Sequence, residues 1–247
     1  MSKKLEGKIA LITGGSRGIG AAIAKRLAAD GASVAFTYAK DSSAASAVVK
    51  AIELAGGKAV AIQADAANVE AVRGAVEKAA ATFGRLDVLV NSAGTAIPKP
   101  FEETTLEEMD RVIDINLRGV LAATQAALKH MNDGGRIIMI GSAVGERAVA
   151  PGLVPYAATK GAVKMFTQAL SREVGSRGIT VNNIQPGPID TELNPASGDW
   201  AVPQKAATAL DRYGHVEEIA AMAAFLAGSE SSYVTGANLT VDGGMNA

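Results

Sequence analysis

Short runs of β-branched and other apolar residues recur along the chain, and most are followed by a longer stretch whose apolar residues return at helical spacing. The runs are KIALIT (8–13), SVAFTY (33–38), KAVAIQ (58–63), RLDVLVN (85–91), GRIIMIG (135–141), ITVNNI (179–184) and ANLTVD (237–242). Several are apolar almost without interruption, the pattern of strands covered on both faces. The intervening stretches, at about 18–30, 42–55, 68–83, 105–131, 156–176 and 216–227, read as helices. Strand and helix alternating through short connections imply parallel strands joined by right-handed crossovers. The pattern predicts one doubly wound α/β domain over residues 1–247, a parallel sheet of about seven strands with helices on both faces. The least patterned region, 187–213, follows the carboxyl end of a strand, the edge where open parallel sheets bind ligands. Leu193, Trp200, Val202 and Leu210 within it predict an apolar lid over a substrate; the alternative is an amphipathic surface helix.

Composition narrows the function classes. The net charge of −1 shows no basic excess, so no nucleic-acid partner is expected. The absence of cysteine removes disulfides, thiolate nucleophiles and cysteine metal sites. Only His130 and His215 remain as imidazole ligands, and no metal is expected. The N-terminal apolar run is too short for a signal peptide, and no apolar stretch reaches the roughly 18 residues a membrane helix needs. These readings predict a cytoplasmic protein without a membrane partner.

Candidate chemistry begins at TGGSRGIG (13–20), between the first strand and the first helix. Glycines there let backbone approach a pyrophosphate, and the helix N-terminus offers unpaired N–H groups. The spacing Gly14, Gly18, Gly20 differs from G-x-G-x-x-G, and a ligand-free turn is the alternative. The second strand ends in FTYAKDSS, with Tyr38 at its end and no acid on the strand to meet a ribose 2′-hydroxyl. Arg17 in the turn and Lys40 beyond the strand are cations suited to a 2′-phosphate, so the expected cofactor is NADP(H). The nearby Asp41 argues the other way, and both cations read equally as solvated surface charges.

In VPYAATK, Tyr156 precedes Lys160 by four residues, and Pro155 suits the first turn of a helix. Residues four apart share a helical face. A phenol with a pKa near 10 is a poor acid–base group at neutral pH, and a neighbouring ammonium lowers that value. The pair would then pass a proton to or from a substrate oxygen. By spacing alone, a half-buried helix face is the simpler account.

The pair has company. NSAG (91–94), DINLRG (114–119) and IIMIGSAVGE, with Ser142 after a strand, stand in order with the glycine turn and Tyr-x-x-x-Lys. Together, over the whole chain, they resemble the short-chain dehydrogenase/reductase family. The resemblance implies a single-domain Rossmann fold and a catalytic set of Asn116, Ser142, Tyr156 and Lys160. In it Tyr156 is the acid, Ser142 binds the substrate oxygen, Lys160 holds the nicotinamide ribose and lowers the phenol's pKa, and Asn116 supports a water linking Lys160 to solvent. It further implies a cofactor turn shaped by Thr13, Gly14, Ser16, Arg17, Gly18, Ile19 and Gly20, with Tyr38 and Lys40 beside it. Asp65 and Ala66 would meet the adenine. Asn91, Ala93 and Gly94 would line the adenosine side. Pro186, Gly187, Ile189 and Thr191 would cover the nicotinamide. The alternatives are that Asn91 stabilises the sheet, Asn116 is an ordinary buried amide and Thr191 caps its segment.

Two features depart from the family pattern. NSAG replaces NNAG, and Ser142 lies 14 residues before Tyr156, one more than usual, within AVGERAVAPGLVP (143–155). The resemblance implies a homotetramer and an NADPH-dependent reductase of a small-molecule carbonyl. Its 3-oxoacyl-acyl-carrier-protein reductases are one alternative; Arg172 and Arg177 would dock the acidic carrier. LKHMNDGGRI, with Lys129 and Asp133, is poor in the cations that branch carries. A dinucleotide-binding regulator without turnover is the other alternative.

Overall fold

The computed structural model describes residues 3–148 and 150–247. Seven strands form one sheet: β1 (Ile9–Thr13), β2 (Ser33–Tyr38), β3 (Lys58–Gln63), β4 (Leu86–Asn91), β5 (Met131–Ile140), β6 (Thr180–Pro186) and β7 (Asn238–Val241). Their order is β3-β2-β1-β4-β5-β6-β7, and every pairing is parallel. This is the single doubly wound α/β domain expected from the alternation, with the Rossmann fold that the resemblance implied. All carboxyl ends share one edge, and the chain diverges in opposite directions at β1 and β4. A crevice opens at such a switch point.

The helices are α1 (Gly18–Ala29), α2 (Ser42–Leu54), α3 (Val69–Phe83), α4 (Leu106–Ile113), α5 (Gly119–Leu128), α6 (Val154–Val174), α7 (Ala201–Ala206) and α8 (Val216–Ala227). Alternate strand residues feed two cores, as a pleat requires. Ala10, Ile12, Val34, Phe36, Val88 and Val90 pack with Ile23, Leu27, Ile219 and Ala223 of α1 and α8. Leu11, Ala35, Leu89, Ile137 and Met139 pack with Val76, Ala79, Ala123, Ala127 and Val163 of α3, α5 and α6. Many of the contacting helical residues are alanine, which lets backbones lie close to the sheet.

Three boundaries differ from the sequence reading. The single helix expected at 105–131 is two helices joined by a π-helical turn, Asp114–Arg118. Periodicity does not register one extra residue per turn, because the flanking apolar spacing is nearly unchanged. The fifth strand starts at Met131 rather than 135: Met131 pairs with Leu86, and the register shifts before Val88 meets Arg136. The least patterned region contains one short helix, α7, whose N-cap is Trp200. Residue 149, within the expected loop 143–155, lies outside the described residues.

Candidate active site

Because the strands are parallel, residues that end them are brought to one edge. Thr13 pairs with Asn91, Asn91 with Met139, and Ile140 with Ile184 across four adjacent strands. Ser142 therefore follows β5 into the same edge from which the glycine turn leaves β1.

The turn is built as a backbone cradle. Gly14 has φ +68°, and a β-carbon on it would stand 2.8 Å from Ala93 Cα, so only glycine fits against the loop after β4. Thr13 Oγ1 accepts N–H groups from Ser92 and Ala93 at 3.0 and 3.1 Å, tying β1 to that loop. Thr37 Oγ1 and its carbonyl accept from Gly14 and Gly15 at 3.0 and 2.8 Å. No side chain caps the start of α1, so its first N–H groups face the crevice as an anion site requires. Ser16 and Ile19 are partly buried in this turn and Gly20 is buried. These residues fit a dinucleotide pyrophosphate.

Around the cradle the expected contacts are partly engaged elsewhere. Arg17, exposed, pairs its Nη1 with Glu192 Oε2 at 3.2 Å. Lys40 is exposed and Tyr38 half-buried at the end of β2. Asp65 receives a fork from Arg111 at 3.1 and 3.3 Å and the Ala67 N–H at 3.0 Å. Burial works to raise its pKa, but these bonds prevail and hold it below the ordinary carboxylate value. Ala66 is half-buried in the same loop. Asn91 points away from the crevice: its Nδ2 donates to Thr124 Oγ1 at 3.0 Å and contacts Met139 Sδ at 3.2 Å. Its Oδ1 is buried without a partner among the described residues. Ala93 and Gly94 form the crevice wall, and Gly94 faces both Asn116 Oδ1 and Lys160 Nζ, each within 3.7 Å of its β-carbon position.

The segment after β6 forms the opposite lip. Pro186 ends the strand, and the Gly187 N–H donates to the Val241 carbonyl at 3.1 Å. Ile189 is buried and bridged to Gly214. Thr191 Oγ1 accepts from the Asn194 N–H at 3.2 Å, a local cap, while its methyl lies 3.5 Å from the β-carbon position of Gly18. Leu193, Trp200, Val202 and Leu210 are exposed along this segment.

The candidate proton-handling groups lie where β5 meets α6. Pro155 occupies the first turn of α6, placing Tyr156 near its start and Lys160 one turn on. Lys160 is buried, its Nζ donates to the Ile140 carbonyl at 2.8 Å and stands 5.6 Å from the Tyr156 ring centroid. Burial depresses its pKa to about 8. Tyr156 is half-buried. Burial pushes its pKa up, and a hydrogen bond with the Ser142 hydroxyl draws it part of the way back. Ser142 is buried, and its Oγ also accepts the Val144 N–H at 3.1 Å.

Asn116 sits in the π-helical turn with its amide fully used. Its Oδ1 accepts the Thr95 N–H and its Nδ2 donates to the Thr95 carbonyl, both at 2.9 Å, with Thr159 Oγ1 at 3.2 Å. It thus clamps the loop after β4 to α6. The sequence reading missed Thr37, Thr95, Thr159, Glu146 and Glu192, whose side-chain partners named here lie 18 to 175 residues away, beyond any local signal. Among the described residues no cluster of histidine or acidic side chains could hold a metal, and no helix is long and apolar enough to cross a membrane.

Comparison with known proteins agrees with this geometry. A family model described as Enoyl-(Acyl carrier protein) reductase matches residues 14–246. A short-chain dehydrogenase/reductase from Serratia marcescens superposes with a TM-score of 0.97 at 51% identity, covering 99% of this chain and 100% of its own. A short-chain dehydrogenase from Burkholderia cenocepacia, solved in complex with NADP, gives 0.97 at 50% identity over 99% and 100% of the two chains. The cyclic-di-GMP-binding biofilm dispersal mediator protein of Escherichia coli is 43% identical over 98% of each chain.

Proposed function

The chain belongs to the short-chain dehydrogenase/reductase family, and from that premise we propose an NADPH-dependent carbonyl reductase that converts a ketone to a secondary alcohol with Tyr156 as proton donor. The observation that carries this reading is the meeting of Ser142, Tyr156 and Lys160 at one end of a crevice whose other end is the backbone cradle. The chemistry that the cofactor would supply when bound is hydride donation to the carbonyl carbon. Everything else falls to this chain. Tyr156, with its pKa raised, is protonated at neutral pH, the state needed to give a proton to the oxygen. Ser142 orients that oxygen by hydrogen bonding. Lys160, cationic at pH 7, stands beside the ring and favours the phenolate left behind. Asn116 holds Thr95 and Thr159 in place around them. The cradle Gly14, Ser16, Gly18, Ile19 and Gly20 would take the pyrophosphate, Arg17 and Lys40 the 2′-phosphate, and Pro186, Gly187, Ile189 and Thr191 the nicotinamide side. Tyr38, Asp65, Ala66, Ala93 and Gly94 would surround the adenosine, while Asn91, turned to Thr124, would support the end of β4 behind them.

A small or cyclic ketone suits the exposed apolar residues of the 187–213 lid. A carrier-bound thioester is less well supported: Arg177 is engaged by Asp133 at 3.3 Å and by the Leu128 and Met131 carbonyls, leaving Arg172 exposed. A homotetramer is supported by exposed Leu106, Leu121 and Met165 on α4, α5 and α6.

The test is initial-rate oxidation of NADPH, and separately NADH, with an acetoacetyl thioester, a β-keto ester, a cyclic ketone, a diketone and a quinone. Turnover with NADPH above NADH is expected. Tyr156→Phe should lose about 10²–10⁴-fold in rate and keep NADPH binding. Unchanged turnover in that variant removes Tyr156 as donor. Tight NADPH binding with no turnover on any substrate favours a regulator.

A further inference from the structure

Strand pairing holds the chain only as far as Gly141, whose N–H donates to the Ile184 carbonyl at 2.7 Å. Ser142 lies just beyond, at the start of a short turn, Ala143–Gly145. What fixes this turn is a set of side chains from other elements. Glu146, at its end, accepts from Lys164 Nζ at 2.7 Å and from Gln185 Nε2 at 3.3 Å. Lys164 is one helical turn beyond Lys160 on α6. Gln185 is buried on β6, and its Oε1 accepts from Thr240 Oγ1 of β7 at 3.4 Å. On the other side, Asn246 Nδ2 donates to the Ala143 carbonyl at 2.9 Å, while the Asn246 N–H is held by Asp242 Oδ2 at 2.9 Å. Gly145 lies flat on α6: a β-carbon there would stand 2.8 Å from the Lys160 carbonyl carbon and oxygen. The turn is therefore pressed against the Lys160 backbone and pinned at both ends.

We propose that Glu146 is a positioning residue for carbonyl reduction: through Lys164 and Gln185 it holds the turn that carries Ser142, and so sets the Ser142 hydroxyl relative to Tyr156. This rests on the carbonyl-reductase reading above. Hydrogen bonds from Lys164 and Gln185 hold the Glu146 carboxyl below its ordinary pKa, so it is ionised throughout the neutral range. The Glu146 and Lys164 side chains are 42% and 30% exposed, and an ion pair so placed adds little to folding stability. Its consequence is local geometry, and a small misplacement of a group that orients substrate lowers turnover strongly.

The experiment is a double-mutant cycle on the NADPH-loaded enzyme with its best carbonyl substrate. Glu146→Ala should lower kcat about 10-fold with NADPH affinity and melting temperature unchanged, and Glu146→Gln, which keeps the shape and one of the two acceptor oxygens, should restore part of it. In a Ser142→Ala background, Glu146→Ala should cost nothing further, because its effect passes through Ser142. Equal losses in both backgrounds, an unchanged kcat, or a matching fall in melting temperature and NADPH affinity each overturn the proposal. A Ser142→Ala variant with unimpaired kcat overturns the underlying reductase reading, and this inference with it. A normal loss in Ser142→Ala without coupling overturns the inference alone.

Discussion

Arg17 Nη1 lies 3.2 Å from Glu192 Oε2, an ion pair that joins the glycine turn to the lip after β6 across the crevice. The two side chains are 69% and 68% exposed, so the pair adds little stability and exchanges readily. A 2′-phosphate brings more charge and matches the guanidinium fork. Glu192→Gln should therefore tighten NADPH roughly two- to fivefold and leave NADH unchanged. Arg17→Ala should weaken NADPH about tenfold and NADH little. Fluorescence titration of both nucleotides at low and high salt checks this; equal shifts for both would take Arg17 away from the 2′-phosphate.

Lys160 carries a pH signature. Its pKa in the folded chain is about 8, below the ordinary 10.5. Between those values the unfolded chain binds more protons, so stability rises with pH there. The burial cost is fully present below pH 8 and fades toward pH 10.5. Without nucleotide, Lys160→Met should be more stable than the parent at pH 7 by roughly 1–3 kcal/mol, a gap that narrows on alkalinisation. Denaturant titrations at pH 7 and pH 10 read it. A gap independent of pH would mean that packing, not charge, sets the difference.

Thr13 holds two N–H groups with one oxygen, at 3.0 and 3.1 Å. Thr13→Val keeps the shape and leaves both donors without that acceptor, at about 1–3 kcal/mol. It should also weaken NADPH binding, since Ala93 would no longer be held against Gly14. Thr13→Ser should preserve both properties. Urea unfolding and nucleotide titration on the two variants settle the contrast, and an unaffected valine variant would contradict it.

The outward face of α6 carries Ala158, Met165 and Ala169, all exposed, with Met165 at 61%. If that face meets its copy in a tetramer, Met165→Glu places a charge in the contact and should lower the sedimentation coefficient without unfolding the chain. Assembly indifferent to this change would point to another surface.

The strand runs were legible because strands buried on both faces are written as continuous apolar stretches, as IALIT and LDVLVN are. Helix α8 was read at its observed bounds, since its apolar spacing starts and stops cleanly. The π-helical turn at Asn116 was not legible, because one widened turn scarcely alters the flanking period. Nor was the state of Asp65, which looked like an open adenine contact and is forked by Arg111 from 46 residues away.

The chain's local periodicities alone determined the alternation of strand and helix, hence a parallel sheet with its carboxyl ends on one edge. They also placed Tyr156 and Lys160 on one helical face, because helical spacing needs no distant partner. Tertiary structure alone decided which polar groups are already occupied. The Asn116 amide is used by Thr95 and Thr159, the Asn91 amide turns toward Thr124, and Arg17 meets Glu192. A hydrogen bond depends on the distance between two atoms, and that distance exists only once the sheet has brought together residues far apart in the chain.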